Sequence, residues 1–467
     1  MFPKIFNLQT KSINSAAFIL AGAFLISAIL GFIRDRLLAG KFGAGDELDI
    51  YYVAFEIPDF LTMVLMTGAI SAAIIPIFSQ YLVSSKDKAW QYLSNLLNLF
   101  LFILIIASLV LFIFAPQLIS LIAPGFSAEK KVLTILLTRI MLLSPIILGI
   151  SNIISGILRV FKRFLITSLT PIMYNLGIIF GILVFVPYLG IEGLAWGVVF
   201  GAFLHFLIQT PILFKTGFSY EKIFNFSEPS FRKTIKLTIP RSIGLAATQI
   251  NLVVVTIIAS TLSAGSIAVF NLAENLSRPL LTLVAISFST AAFPSLSLSF
   301  AKKQKEKFNN IFFSVFYKIL FLSLFLSILL FIFKEEVINI ILRVGEFDLL
   351  DAQLTSACLA MICFGIFAQS LVLLIAKTFY AVQNTKIPAF TSVIATLVNV
   401  FLCLYFVYLL SFPNYFQQFW TNLLNIQNLE NIEVIGLPLA LSFSAIFQLL
   451  LLLLFLPKLR KITKNIS

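Results

Sequence analysis

Runs of apolar residues, each long enough to cross a lipid bilayer, follow one another along this chain. A hydrocarbon core about 30 Å thick needs about 20 apolar residues per crossing helix. Strands of a membrane β-barrel alternate apolar and polar side chains over about 10 residues, and these runs do not. The sequence therefore predicts an all-α polytopic membrane protein with about 12 transmembrane helices, at 14–33, 50–83, 94–122, 132–160, 164–187, 190–214, 236–262, 267–300, 309–341, 352–382, 386–411 and 434–457.

The composition excludes a soluble domain longer than a loop. Of the 467 residues, 60% are hydrophobic and only 11% are charged, whereas soluble domains need a charged exterior. The three cysteines all lie in apolar runs, which argues against a loop disulfide and against a zinc site. In this composition the net charge of +13 is attributed to cytoplasmic loops, so no nucleic-acid partner is expected.

Basic residues collect in every second connection and at both termini. The connection after the eighth run, for example, carries Lys302, Lys303, Lys305 and Lys307. Cytoplasmic loops of membrane proteins are enriched in lysine and arginine. The pattern therefore predicts that both termini lie in the cytoplasm.

The two halves of the chain resemble each other in sequence. The string GAG ending at Gly45 precedes the second run, and SAG ending at Gly265 precedes the eighth. A later match, from Gly193 and from Gly436, has a larger offset, which the polar insert at about 412–433 explains. The repeat predicts two six-helix lobes of the same topology, an N-terminal lobe at 1–234 and a C-terminal lobe at 235–467. Some secondary transporters have this arrangement, with the substrate path between the halves.

The first half carries charged residues where a membrane protein seldom keeps them. A charge at membrane depth costs about 2.5–3.5 kcal/mol on insertion scales, so such residues face a partner or a wet cavity. Arg34, at the outer end of the first run, is either a cation of the transport cavity or an interfacial anchor. Asp49, Glu56 and Asp59 open the second run. They are interpreted as cavity or ion-coupling groups, with structural pairing to Arg34 as the alternative.

The second half has its own polar set, at the seventh and eighth runs. Arg241 and Gln249 lie in the seventh, and Arg241 is either a cavity cation or a cytoplasmic-end anchor. Glu274, Asn275 and Arg278 lie in the eighth. Because Glu274 and Arg278 are four residues apart on a helix, they can neutralise each other.

Sequence motifs give no indication of an enzyme. The chain has no P-loop, HExxH, GxSxG or Cys/His cluster, so no catalytic residue, cofactor or metal site is predicted. A membrane glycosyltransferase or a scaffold stays an alternative, because membrane enzymes can carry carboxylates without such motifs. His205 is interpreted as a helix-contact residue, with a proton relay as the alternative.

Several ordered motifs together resemble one known family. They are GFIRDRLLAGKFGAGDELDIYYVAFEIPDF (31–60), APGF (123–126), KRF (162–164), ATQINLVVVTIIASTLSAGSIAVFNLAENL (247–276), FPSLSLSFA (293–301) and FYAVQNTKIP (379–388). The set resembles the MurJ/MviN lipid II flippases of the MOP exporter superfamily, and it spans nearly the whole chain.

The resemblance implies two lobes around a V-shaped, alternating-access cavity. It implies transport of an undecaprenyl-pyrophosphate-linked peptidoglycan precursor, lipid II, from the inner to the outer leaflet of the bacterial cytoplasmic membrane. The implied partners are this lipid-linked glycan, membrane lipids, a coupling ion and proteins of cell-wall synthesis. A flippase for another lipid-linked oligosaccharide and a cation-coupled drug exporter of the same superfamily are the alternatives.

The chain departs from the family pattern in its cavity arginines, which suit a pyrophosphate because guanidinium donors are forked. Arg34 and Asp49 match the family motifs. Ala28, Thr62 and Asn275 stand where the family often has arginine.

Arg241 and Arg278 are predicted to substitute for the missing arginines from neighbouring turns. The predicted substrate-binding cations are therefore Arg34, Arg241 and Arg278. Typical members also have two further helices that shelter the lipid tail, beyond the twelve expected here.

Overall fold

A computed structural model describes residues 13–67, 73–382 and 384–464. Within these ranges the side chains at 13–21, 67, 240, 241, 243–245, 247, 248 and 457–464 are not described. The regular elements of the described residues are helices, without strands. The predicted all-α class is therefore confirmed.

The first half of the described chain forms α1 to α10. A π-helical segment, Met63–Thr67, continues α2, and another, Gly181–Phe185, joins α7 to α8. The bounds are α1 Ile13–Phe42, α2 Asp46–Thr62, α3 Ile75–Ser84, α4 Lys86–Ile122, α5 Ala128–Met141, α6 Leu143–Val160, α7 Phe164–Phe180, α8 Val186–Leu189, α9 Glu192–Leu207 and α10 Thr210–Lys215.

The second half forms α11 to α19. A π-helical segment, Leu281–Ile286, joins α12 to α13, and a 3₁₀ turn, Ile432–Ile435, precedes α19. The bounds are α11 Pro229–Ala259, α12 Ser266–Leu280, α13 Ser287–Ala301, α14 Lys305–Ile332, α15 Lys334–Ile341, α16 Leu349–Ala381, α17 Lys386–Leu410, α18 Tyr415–Leu424 and α19 Gly436–Lys464.

Nine helices of the described residues are long and apolar enough to cross a membrane. They coincide with nine predicted spans and lie at Lys86–Ile122, Ala128–Val160, Phe164–Leu189, Glu192–Lys215, Ser266–Ala301, Lys305–Ile332, Leu349–Ala381, Lys386–Leu410 and Ile432–Leu456. The other three predicted spans, 14–33, 50–83 and 236–262, each include residues whose side chains are not described. A multi-pass membrane protein is established, and the total of twelve stays a prediction.

The internal duplication is visible in the helix bounds. The π-helical segments after α2 and α12 begin at Met63 and Leu281, 218 residues apart. Helices α4 and α14 begin at Lys86 and Lys305, 219 residues apart. A π-helical turn leaves the regular hydrogen-bond pattern and is rare in proteins. Its recurrence at one register shows that the halves share a helix plan.

Close contacts divide the chain into two compact units. Unit 1 comprises Met1–Leu38 and Asp46–Ile250, and unit 2 comprises Ala39–Gly45 and Asn251–Ser467. The division falls inside α11, while the predicted lobes meet at 234/235 and stay a prediction.

The short segment 39–45 comprises the last turn of α1 and the connection to α2. It packs within unit 2, although the preceding part of α1 and the whole of α2 belong to unit 1. The amide of Glu346 donates to the carbonyl of Gly40 at 3.0 Å. The amide of Ala44 donates to the carboxylate of Asp351 at 2.9 Å. Gly345 has φ +58°, and a Cβ there would strike the carbonyl oxygen of Gly40. Only glycine combines this left-handed backbone with this close approach.

Small residues bring α7 and α9 of unit 1 into direct backbone contact. A Cβ on Gly177 of α7 would meet the backbone of Gly201, and a Cβ on Gly181, the first residue of the π-helical segment after α7, would meet the backbone of Gly197. Spacing of glycines by four residues is a known contact motif of membrane helices, because it lets two backbones approach closely. This contact fixes α7, which carries Asn175 of the candidate site.

An arginine satisfies the backbone of a proline-containing helix. Pro116 lacks the N–H that would bond to the carbonyl of Phe112, four residues earlier in α4. The Nε of Arg139, from α5, donates to that carbonyl at 3.2 Å. The guanidinium also lies 4.7 Å from the centre of the Phe112 ring. Arg139 is therefore held by α4 as a structural residue.

Candidate functional site

Arg34 lies in α1 and is held by two side chains of unit 1. Its Nε and Nη2 donate to one carboxylate oxygen of Asp35, at 3.0 and 2.8 Å. Its Nη1 donates to the side-chain oxygen of Asn175, in α7, at 3.2 Å. The Arg34 side chain is 22% exposed and that of Asp35 is 3% exposed. The charge pair is therefore largely shielded, with one side of the guanidinium open.

Asn175 connects Arg34 to a second position on α1. Its amide nitrogen donates to the hydroxyl and to the carbonyl oxygen of Ser27, both at 3.3 Å. An asparagine amide can accept through its oxygen and donate through its nitrogen at once. Asn175 therefore fixes α1 against α7 and sets the direction of the Arg34 side chain.

A group of aromatic and acidic residues surrounds this pair. Tyr51, of α2, and Tyr174, of α7, each lie within electrostatic range of both Arg34 and Asp59. Arg34 and Asp59 thus belong to one neighbourhood of unit 1. Asp59 is exposed, so it borders open space.

The bonding of Arg34 leaves donors for another acceptor. A guanidinium carries five N–H donors, and three of them donate hydrogen bonds to the described residues. The second hydrogens of Nη1 and Nη2 have no acceptor in the described part of the chain. Guanidinium groups bind phosphate oxygens well because two such hydrogens can point in parallel. The arrangement suits an anion with paired oxygens.

The acidic residues of α2 have different surroundings. Asp49, in the first turn, is 2% exposed, and a carboxylate there is favoured by the helix dipole. Glu56 is half-buried, one turn before the exposed Asp59. The helix continues through Pro58 without a break.

The proline inside α2, Pro58, leaves one backbone carbonyl of the helix without its usual partner. The carbonyl that Pro58 frees belongs to Ala54, four residues earlier. The hydroxyl of Thr138, in α5, lies 3.5 Å from this oxygen, a long hydrogen bond. A side chain of the protein thus occupies that acceptor.

In unit 2, the polar set of α12 forms an ion pair. Arg278 donates to a carboxylate oxygen of Glu274 through Nη2 at 3.2 Å and through Nε at 3.4 Å. This confirms the neutralisation expected from their spacing. The Arg278 side chain is 55% exposed, and Asn275 on the same helix is half-buried.

The two predicted residues of α11 differ in what the structure describes. Gln249 is 8% exposed and lies in unit 1. The side chain of Arg241 is outside the described residues. Since Arg34 lies in unit 1 and Arg278 in unit 2, a single cavity lined by Arg34, Arg241 and Arg278 stays a prediction.

The two units share a second feature, an asparagine that donates to a residue 148 positions earlier in the chain. Asn175 bonds to Ser27 in unit 1, and Asn399 donates to Asn251 at 3.0 Å in unit 2. Both pairs are 148 residues apart along the chain. Seven residues after Ser27 comes Arg34, whereas seven residues after Asn251 comes Ile258. Only the first half therefore has a cation seven residues after the earlier member of this pair.

His205 lies in a buried polar network that links α6, α9 and the turn after α9. Its Nδ1 is 2.6 Å from the hydroxyl of Ser151, and Gln209 donates to the same hydroxyl at 2.7 Å. Ser155 donates to the Gln209 side-chain oxygen at 2.6 Å. These contacts support the helix-contact interpretation of His205.

A cavity of about 460 Å³ lies within unit 2 and is acidic. Its lining includes Asp348, Asp351, Glu430 and Ser266. Neither Arg34 nor Arg278 contributes to it. Carboxylates repel a pyrophosphate, so this cavity does not suit the substrate expected from the resemblance. The described residues contain no group of three or more His, Cys, Asp or Glu placed to hold a metal ion.

Comparison with known proteins gives a consistent family. The family model described as Lipid II flippase MurJ matches residues 38–466. A relative from Buchnera aphidicola subsp. Schizaphis graminum (strain Sg), named "Probable lipid II flippase MurJ", is 30% identical over 455 residues, covering 93% of this chain and 88% of the relative. A lipid II flippase MurJ from Burkholderia cenocepacia is 26% identical over 377 residues, covering 79% of this chain and 73% of the relative.

Solved structures match over nearly the full length. A lipid II flippase MurJ in an inward closed conformation matches with a TM-score of 0.78 at 26% identity, covering 96% of this chain and 90% of that one. An inward-facing multidrug resistance MATE transporter of the MOP superfamily matches with a TM-score of 0.74 at 14% identity, covering 97% and 99%. The second match concerns the fold alone.

Proposed function

We propose that this chain, which belongs to the MurJ family, is a flippase that moves lipid II from the inner to the outer leaflet by alternating access. In this proposal it makes and breaks no covalent bond, so it is a transporter and not an enzyme. The relatives that match over most of its length carry the name of this activity.

The observation that carries the proposal is the geometry of Arg34. The guanidinium is fixed by Asp35 and Asn175, and one hydrogen on Nη1 and one on Nη2 have no acceptor among the described residues. A pyrophosphate offers oxygens in pairs, and charge-assisted contacts to it contribute about 1.5–3 kcal/mol each. Because Asp35 already balances the arginine charge, an entering phosphate competes with that carboxylate for the guanidinium.

One arginine paired with an aspartate does not balance a pyrophosphate of about two negative charges, which is costly to bury unpaired. We therefore assign Arg241 and Arg278 to the substrate site as further cations, with the phosphate competing with Glu274 for Arg278 as it does with Asp35 for Arg34. Asp49, Glu56, Asp59, Glu274, Asn275 and Gln249 are assigned to the polar lining and to ion coupling. Movement of one charge through 100 mV supplies about 2.3 kcal/mol, enough to bias a two-state transporter.

The proposal places the chain in the bacterial cytoplasmic membrane, with both termini in the cytoplasm. The basic connections, such as the one with Lys302 and Lys303, support this orientation. In this setting the protein supplies precursor to peptidoglycan synthesis outside the membrane, and cell-wall synthesis proteins are the expected partners.

Complementation tests the substrate. A bacterium depleted of its own lipid II flippase should regain growth and shape when it expresses this chain. The matched control is Arg34→Ala at equal membrane levels, which should fail. Absence of growth with the parent chain, at good expression, would refute lipid II as the substrate.

The drug-exporter alternative has a separate test. The MATE match supports a shared fold, and Asp49, Glu56 and Asp59 would then bind the coupling cation. Whole-cell dye efflux should not rise on expression of this chain. Efflux that depends on Asp59, without complementation, would favour the exporter.

A further inference from the structure

The polar insert of the second half contains a short helix that the first half lacks. Helix α18, Tyr415–Leu424, lies between the spans α17 and α19, whereas α8 and α9 of the first half are separated by two residues. The side chain of Asn414 accepts from the amide of Gln417 at 2.9 Å and so caps the start of α18. Asn425 ends it in the left-handed conformation, with φ 56°. The insert is thus a defined helix with both ends capped.

One face of α18 packs on its own unit. The ring of Phe416 lies 5.4 Å from that of Phe406, in α17. The ring of Trp420 lies 5.8 Å from that of Phe364, in α16. Leu424 is 1% exposed. These contacts fix the rotation of α18 about its axis.

The opposite face is exposed and divided in two. Tyr415, Phe419 and Leu423 are 92%, 59% and 44% exposed. At about 100° per residue they form one apolar edge. Gln418 and Asn422, also exposed, form the adjoining polar edge. A helix with protein on one side, an apolar edge on the second and a polar edge on the third matches a membrane–water interface.

Exposed aromatic side chains also lie along α17 and in the turn that follows it. Phe401 and Tyr408, of α17, are 65% and 63% exposed, and Phe412, after its end, is 38% exposed. Tyr415 follows Leu410, the last residue of α17, by five residues, which reach at most about 17 Å. Residues 411–429 include no charged side chain. Helix α18 therefore begins close to the level at which α17 leaves the membrane.

We propose that α18 is an interfacial helix, with Tyr415, Phe419 and Leu423 inserted among the lipids of the leaflet where α17 ends. Gln418 and Asn422 face water. Aromatic side chains are enriched at this level of the bilayer. With the proposed topology, the leaflet is the outer one, where a flipped lipid emerges. The placement of α18 at an interface does not depend on which leaflet it is.

Nitroxide labels on single cysteines test the placement. Phe419→Cys and Gln418→Cys form a matched pair, because both positions are exposed and adjacent. The buried Cys358, Cys363 and Cys403 are first replaced by alanine. The labelled protein is placed in liposomes of phosphatidylethanolamine and phosphatidylglycerol. Collision rates are measured with oxygen, which concentrates in lipid, and with a polar nickel chelate, which stays in water.

The expected oxygen-to-nickel ratio is roughly threefold or more higher at 419 than at 418, since apolar and polar solutes partition oppositely. Leu423→Cys and Asn422→Cys should repeat the contrast. Equal, water-like ratios at all four positions would overturn the proposal. An immobilised label at 419 would also overturn it, because it would indicate protein on the apolar edge. Since the liposomes carry no substrate, these results are independent of whether the chain moves lipid II.

Discussion

Arg34 is either a structural cation or a substrate-binding one, and replacing it alone does not distinguish the two roles. Arg34→Ala removes the partner of Asp35, which is 3% exposed. Stranding one member of a buried pair costs about 3–5 kcal/mol, and the partial exposure of Arg34 favours the lower end. A loss of stability alone could then abolish growth, so the single variant does not identify the role.

The double variant Arg34→Ala with Asp35→Asn resolves this ambiguity. A neutral amide at 35 needs no counter-charge, so most of the lost stability should return. If Arg34 also binds phosphate, two charge-assisted hydrogen bonds stay missing, about 3 kcal/mol in total. That corresponds to roughly 100-fold weaker substrate binding. The double variant should therefore be stable and inactive.

Two measurements check the pair of variants. Thermal unfolding of the purified proteins in detergent reports stability, and complementation with matched membrane levels reports function. Asp35→Asn alone is the control for the aspartate, with Arg34 still held by Asn175 at 3.2 Å. Growth of the double variant equal to the parent would refute the substrate role and leave Arg34 as the partner of Asp35 alone.

Three further variants probe other parts of the molecule. Lys318→Ala should complement like the parent, because its long stem can reach the interface without a site; loss of growth at matched levels would contradict this. Gly190→Ala should cost about 1–3 kcal/mol, because its φ of 59° and ψ of −143° lie in a region that is essentially restricted to glycine. Gly345→Ala should cost clearly more in the same unfolding assay, because its Cβ also meets a carbonyl; equal losses would be contrary to the geometry. Asn399→Leu should lower stability by about 0.6–1.7 kcal/mol, the range for membrane hydrogen bonds, and an unchanged unfolding curve would show that the bond contributes nothing.

The helices could be predicted from the sequence because membrane thickness fixes their length. Nine predicted spans are helices of the described chain, and the repeat found in the glycine motifs reappears in the π-helical segments at Met63 and Leu281. Local signals sufficed for these features, since each depends on residues close together in sequence. The insert that changes the repeat offset was also recognised, but not the helix α18 within it. Its apolar residues recur every fourth position for only two turns, too few for a span.

The partners of Arg34 could not be predicted in the same way. Neighbouring residues on a helix normally point apart, so Asp35 was not expected to be its main acceptor. It is the length of the arginine side chain that lets both its Nε and Nη2 reach back. Asn175 lies 141 residues away, and nothing local marks it. The repeat held one usable signal, the equal spacing of Ser27 to Asn175 and of Asn251 to Asn399.

The second half is a natural control for the role of Arg34. It keeps the asparagine contact between its first and fifth spans, but it has no charge where the first half has Arg34 and Asp35. Counted from this contact the residues there are Ile258 and Ala259, and counted from Gly45 and Gly265 they are Val254 and Val255. Ile258 and Ala259 are 7% and 2% exposed, so that position packs without any charge. The shared fold of the halves therefore does not require a cation there. A charge pair that the fold can omit costs desolvation to keep, so we expect this one to serve the substrate and not the fold, as the double variant tests.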